Sequence, residues 1–159
     1  MFFIRSLTTA AALALTLLTG CASLPSPDAM KAEVANFQLP KLPEAGKAIV
    51  YVVRPSPMGG LVRFNVFLDD QEAQSEMGYT RASQYIYFNV TPGDHKVYSK
   101  AENWAEALVS VKAGDVIFIE QELSVGIIMA RNNLLKLEEI PGKYHVKKLT
   151  LGTVAKTDK

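Results

Sequence analysis

The amino-acid sequence predicts a mainly all-β fold, an antiparallel β-sandwich or small barrel of about 7–9 short strands. Three observations lead there. From Lys47 onward, β-branched and aromatic residues gather in short apolar runs. Gly, Pro and Asp separate these runs at intervals of roughly 8 to 12 residues, the spacing of strand and turn. No long stretch of helical periodicity lies between them.

Before the first run, Ser26-Pro27-Asp28 precedes Ala29 to Phe37. This supplies an N-cap, a proline at the first helical position and an acidic first turn, the marks of a short helix. Four of the eight prolines fall between Pro25 and Pro43, among Ala, Ser, Lys and Glu. Residues 21–46 therefore read as a tether, and about 25 disordered residues would reach roughly 25 to 30 Å.

Ala48 to Val53 is almost continuously apolar, as a central strand buried on both faces must be. Phe64, Val66 and Leu68 alternate with Arg63, Asn65 and Phe67 until Asp69-Asp70-Gln71 ends the strand. Ile86, Phe88 and Val90 form one face of the next strand, with Tyr85, Tyr87 and Asn89 on the other. Thr91-Pro92-Gly93-Asp94 has the composition of a type II turn, so a hairpin into His95 to Lys100 is expected. Ala107, Val109 and Val111 mark a further strand; Ala113-Gly114-Asp115 turns the chain into Val116 to Leu123. Ile127 to Ala130 and Leu134 to Ile140 read as strands, whereas Pro141 to Leu151 fits a short helix and an edge strand equally well.

The N-terminus carries a different signal. Arg5 is followed by the uncharged stretch Leu7 to Leu18 and then by Thr19-Gly20-Cys21. A charged start, an apolar middle and a small-residue end make an export signal, and the run is shorter than the roughly 20 residues a spanning helix needs. Leu18, Thr19, Gly20 and Cys21 resemble a bacterial lipobox. The resemblance implies cleavage before Cys21, a diacylglycerol on its sulfur and an acyl chain on its new amine. One acyl chain anchors marginally, and two or three hold firmly. In such lipoproteins Ala22, in place of Asp, implies sorting to the outer membrane, facing the periplasm.

The chain thus divides into a cleaved signal (1–20), a lipidated Pro-rich tether (21–46) and a single β-rich domain (47–159). Loss of residues 1–20 leaves 139 of 159 residues, enough for one core. Arg5 is the signal's one charge, so 16 Lys plus Arg remain against 16 Asp plus Glu. That balance gives no electrostatic reason to expect nucleic acid or anionic lipid as a partner. Cys21 is the one cysteine, leaving no disulfide to form.

Val50-Tyr51-Val52-Val53-Arg54-Pro55, Val66-Phe67-Leu68-Asp69, Met77-Gly78-Tyr79, Val90-Thr91-Pro92-Gly93-Asp94-His95 and Ala113-Gly114-Asp115 follow one another at short intervals. Together they resemble domain of unknown function 2846, over about Lys47 to Ile140. The resemblance implies a small bacterial lipoprotein and carries no activity or catalytic residue. Asp70 departs from the pattern, which more often has the glycine of an Asp-Gly turn there. The Pro-Gly-x-His hairpin is also similar to small β-rich PEGA modules.

Few residues suit catalysis, and an enzyme is not expected; a hydrolase is the remote alternative. The two histidines, His95 and His145, are distant in sequence, and no Gly-x-Ser-x-Gly or HExxH motif is present. His95 reads as a polar, exposed residue or as a hydrogen bond closing the hairpin, and His145 as a solvated residue of a Lys-rich tail. Glu120 and Glu122 share a strand face opposite Ile117, Ile119 and Gln121, and a solvated face explains them better than a glycosidase pair. Asp69, Asp70, Glu72 and Glu76 read as a charged hairpin tip, since the EF-hand pattern is missing. No metal or cofactor is expected.

Two functional classes remain. A non-catalytic envelope adaptor would dock on a protein partner; a glycan or small-ligand binder would use an aromatic face containing Phe67, Tyr85, Tyr87 and Tyr98. Met58, Tyr85, Tyr87 and Trp104 are the candidate contact residues. The loop Arg54-Pro55-Ser56-Pro57-Met58-Gly59-Gly60 reads either as a contact surface or as a plain turn.

Overall fold

A computed structural model describes residues 24–125 and 130–158. The signal, the lipobox and most of the expected strand Ile127 to Ala130 lie outside the described residues. The strands are β1 (Ala48–Arg54), β2 (Phe64–Leu68), β3 (Glu76–Thr80), β4 (Gln84–Val90), β5 (Gly93–Lys100), β6 (Trp104–Val111), β7 (Val116–Val125), β8 (Ala130–Leu137), β9 (Thr150–Leu151) and β10 (Thr153–Val154). They form two five-stranded sheets, in the orders β8-β7-β1-β4-β9 and β10-β3-β2-β5-β6. The fold is a mostly β two-sheet sandwich, not a closed barrel.

The expected antiparallel order is modified at two places. β1 pairs with β7 in parallel, and β4 pairs with β9 in parallel. The expected hairpin between β4 and β5 does not form. Both edges of β4 are occupied, by β1 and β9, so Thr91-Pro92 carries the chain across to the second sheet, where β5 pairs with β2 and β6. Gly93 takes φ of +140° at this crossing, which suits a residue without Cβ.

β1 explains the central core. All seven of its residues are buried. Ala48, Val50 and Val52 face the second sheet, where Val66, Leu68, Met77 and Val97 complete an apolar layer with Ile86, Phe88 and Ile119. Ile49, Tyr51 and Val53 face outward into a smaller cluster with Phe118 and Val146. Gln121 sits among the inward residues and is fully buried. Its amide oxygen accepts from the Thr80 hydroxyl, and its Nε2 donates to Ser99 Oγ at 2.8 Å. This chain of three polar groups ties β7 to β3 and β5 across the core.

Two helices cover the outer face of the first sheet. In α1 (Pro27–Val34), Ser26 Oγ accepts from Ala29 N at 3.3 Å, and Pro27 opens the helix as its sequence requires. α2 (Glu139–Lys148) resolves the ambiguous segment as a helix followed by the short strands β9 and β10. Pro141 falls in its first turn, where a missing N–H removes no helical bond. Gly142 lies flat on the sheet; a Cβ there would stand 2.2 Å from Phe118 Cγ.

Residues 27–46 do not form a free tether, which corrects that expectation. Met30 and Val34 are buried, and Lys147 Nζ donates to the Glu33 carbonyl at 2.7 Å. Phe37 and Leu39 pack over the outer cluster. The Tyr51 hydroxyl donates to Lys41 O at 2.7 Å and accepts from Lys41 N at 3.0 Å. Glu44 N donates to Asn89 Oδ1 at 3.1 Å. Cys21 to Ser26, six residues, precede α1, a span of about 20 Å when fully extended.

Candidate functional site

The four candidate contact residues do not converge. Met58 is exposed in the β1–β2 loop, and Trp104 lies at the start of β6 in the second sheet. Tyr85 and Tyr87 belong to β4, on the outer face of the first sheet. Tyr85 is buried in the cluster that holds Val146 of α2, so its reading as a contact residue is corrected. Tyr51 stacks on Phe118 at 5.6 Å between ring centres and meets Tyr85 at 6.0 Å and Tyr87 at 5.8 Å. Burial raises the pKa of Tyr51 far above its ordinary value and raises that of Tyr85 as well.

Phe67 is also buried, 5.2 Å from Trp104. Tyr98 meets Trp104 edge-on at 6.5 Å, and Lys100 Nζ lies 4.7 Å from the tryptophan ring. The aromatic residues therefore divide between the two sheets, and the expected sugar-stacking platform is not assembled.

Arg54 organises the loop that follows it. Its side chain is fully buried and stacks 3.9 Å above the Phe64 ring. One guanidinium nitrogen donates to Val62 O at 2.7 Å, and the other donates to Met58 O at 3.1 Å and Gly59 O at 3.2 Å. Burial lowers the arginine pKa, and three carbonyl dipoles take the role a carboxylate would otherwise play. Gly59 has φ of +66°, and a Cβ on it would come within 3.1 Å of Arg54 Nη2. The loop thus holds Met58 and Leu61 outward, Leu61 being 91% exposed. Sequence reasoning singled out the loop and missed its cause, because an arginine at a strand end ordinarily reads as solvated.

The histidines both serve the fold. His95 Nε2 donates to Thr91 O at 2.8 Å, and Nδ1 lies 3.0 Å from Asp69 Oδ1. The bond foreseen for His95 exists, but it fastens the β4–β5 crossing to the β2–β3 turn. There Asp69 takes φ of +69°, one residue before the departure from the family pattern at Asp70. His145 is buried in α2, which corrects its reading as solvated; burial lowers its pKa.

The acidic candidates are separately engaged. Asp69 also accepts from Lys96 N, Asp70 Oδ1 accepts from Glu72 N at 3.0 Å, and Glu76 accepts from Asn65 Nδ2 at 2.7 Å. Glu120 is half-buried, and burial, with Glu122 adding to it, raises its pKa. Among the described residues, no group of three or more His, Cys, Asp or Glu side chains is placed to hold a metal ion. A concavity of about 610 Å³ lies between Phe37, Leu39, Leu42, Phe118 and Lys143.

These features define a class: a β-sandwich module in which polar side chains with catalytic potential are engaged in structure. The chain belongs to the family described as a protein of unknown function, DUF2846, whose model matches residues 44–133. The match runs from the lead-in to β1 into β8 and leaves out both helices. The chain is also similar to an uncharacterized protein of Haemophilus influenzae, 24% identical over 136 residues, covering 85% of this chain and 77% of the relative.

Proposed function

We propose that the protein is a non-catalytic lipoprotein of the bacterial cell envelope, acylated at Cys21, anchored in the outer membrane facing the periplasm, and acting as an adaptor for an envelope protein. The observation that carries this reading is Leu18-Thr19-Gly20-Cys21 at the end of an uncharged run. Supporting it, His95 and His145 are engaged in the fold. The glycan reading is weakened by the burial of Phe67 and Tyr85.

The test has two parts. Mass spectrometry of the mature protein reads the anchor: a chain beginning at an acylated Cys21 is expected, and an unmodified Cys21 refutes it. Photo-crosslinking in intact cells from the exposed residues Leu42, Leu108 and Leu135, against a Cys21→Ala form, reads the adaptor role. A protein adduct that requires Cys21 is expected; no protein adduct from any position refutes the role.

A further inference from the structure

The balanced charge of the chain is not evenly distributed. The connections β1–β2, β3–β4 and β5–β6 all lie at one end of the sandwich, because Arg54 pairs with Gln84, Phe64 with Thr80 and Lys100 with Trp104. Every arginine among the described residues falls there: Arg54, Arg63, Arg81 and Arg131. Lys100, at the end of β5, joins them. The opposite end carries Asp69, Asp70, Glu72, Asp94 and Asp115.

Exposed apolar side chains favour the arginine end as well. Met58 is 60%, Leu61 91% and Val125 87% exposed, and Trp104 is partly open. The N-terminal segment arrives at this same end. Glu33 lies beside Lys147 and Lys148, whereas Phe37 shares a groove with Glu139 and Lys143, so the chain runs opposite to α2. The first turn of α1 therefore points past the last turn of α2, toward β9 and Gln84. Leu24, 64% exposed, leads into that turn.

We propose that this end of the sandwich rests on the lipid bilayer to which Cys21 is attached, with Leu24, Met58 and Leu61 in the interfacial layer and Arg63, Arg81 and Arg131 against anionic headgroups. The proposal rests on the lipid-anchor reading and goes beyond it by giving the domain a fixed orientation. Three features point to a lipid surface as the occupant. The leash of Cys21 to Ser26 is too short to let the domain turn over, since about 20 Å is less than a domain diameter. Apolar tips ringed by cations match an anionic interface. Trp104 beneath Lys100 is the pairing typical of membrane–water boundaries.

Trp104 is the single tryptophan and reports the contact directly. The acylated full-length protein is reconstituted into phosphatidylethanolamine vesicles containing phosphatidylglycerol and headgroup-proximal brominated lipid. Flotation reads the anchor, and quenching of Trp104 reads the docking. Quenching of Trp104 is expected, with a dye on Asp94→Cys at the far end left unquenched. Raising salt from about 0.1 M to 1 M shortens the screening length from about 10 to 3 Å and should relieve the quenching without releasing the protein. Arg63→Glu with Arg81→Glu, both exposed, should do the same, each lost cation weakening the contact about five-fold. A protein that floats with Trp104 unquenched, or with both ends quenched alike, overturns the orientation and leaves the anchor standing. A protein that does not float fails the anchor reading, and the docking proposal falls with it. A protein adduct from a crosslinker at Leu61, in place of a lipid adduct, assigns this end to a protein partner and overturns the proposal.

Discussion

Replacing Gln121 by methionine tests how the two sheets are joined. The substitution keeps the length of the side chain and removes both polar contacts. Thr80 and Ser99 are fully buried, so each hydroxyl loses a partner that water cannot readily replace. A buried polar group left without its bond costs about 1–3 kcal/mol, so Gln121→Met should destabilise the protein by about 2–4 kcal/mol. That corresponds to a fall of about 6 to 12 °C in Tm for a chain of this size. The second arm adds Thr80→Val and Ser99→Ala to the same chain. With no buried hydroxyl left unpaired, the triple variant should return to within about 1 kcal/mol of the native protein. Thermal melts followed by circular dichroism measure both. A Gln121→Met protein that melts with the native one, or a triple variant as unstable as its single changes summed, would refute this account of the core.

Four further outcomes are expected. Arg54→Met should weaken the fold by about 2 kcal/mol and expose the loop at Met58 and Leu61 to chymotrypsin; unchanged cleavage there would mean that the guanidinium does not hold the loop. Gly142→Leu should lift α2 from Phe118 and lower Tm by several degrees, whereas Glu139→Leu, at an exposed side chain of the same helix, should leave it nearly unmoved; equal melts for the two would contradict the close approach. Because His145 is held neutral below its ordinary pKa, the unfolded chain gains a proton first as pH falls through about 6.5. Native Tm should therefore decline below that pH, and a His145→Gln protein should lack this component. Glu120 acts oppositely: its raised pKa makes the folded state take up a proton first, so Glu120→Gln should stabilise the protein at neutral pH.

β1 was legible because burial on both faces leaves no polar position in Ala48 to Val53, and the inward side of β7 was legible because Gln121 keeps step with Ile117 and Ile119. β3 escaped notice: Glu76-Met77-Gly78-Tyr79-Thr80 is short, and its Gly78 departs from strand propensity to admit the backbone at Thr153. α2 has Gly142 inside it and no regular apolar stripe, so its helical period is weak. The segment before β1 misled for another reason. Met30, Val34 and Phe37 do keep a helical spacing, but over barely two turns and among prolines, too short a run to distinguish a helix docked on the body from one in a free tether. Arg54 and the candidate contact residues depend on which element covers which face, and that is decided only when distant parts of the chain meet.

The last strands have a consequence for how the protein is made. β9 lies along β4 in one sheet, and three residues later β10 lies along β3 in the other, with Gly152 at the step between them. A single ribbon from the C-terminus thus seams the two sheets along one side. Since synthesis proceeds from the N-terminus, neither sheet has its full complement of strands until β9 and β10 have been made. The nascent chain is an open jacket until then, and it fastens only once those two short strands have arrived.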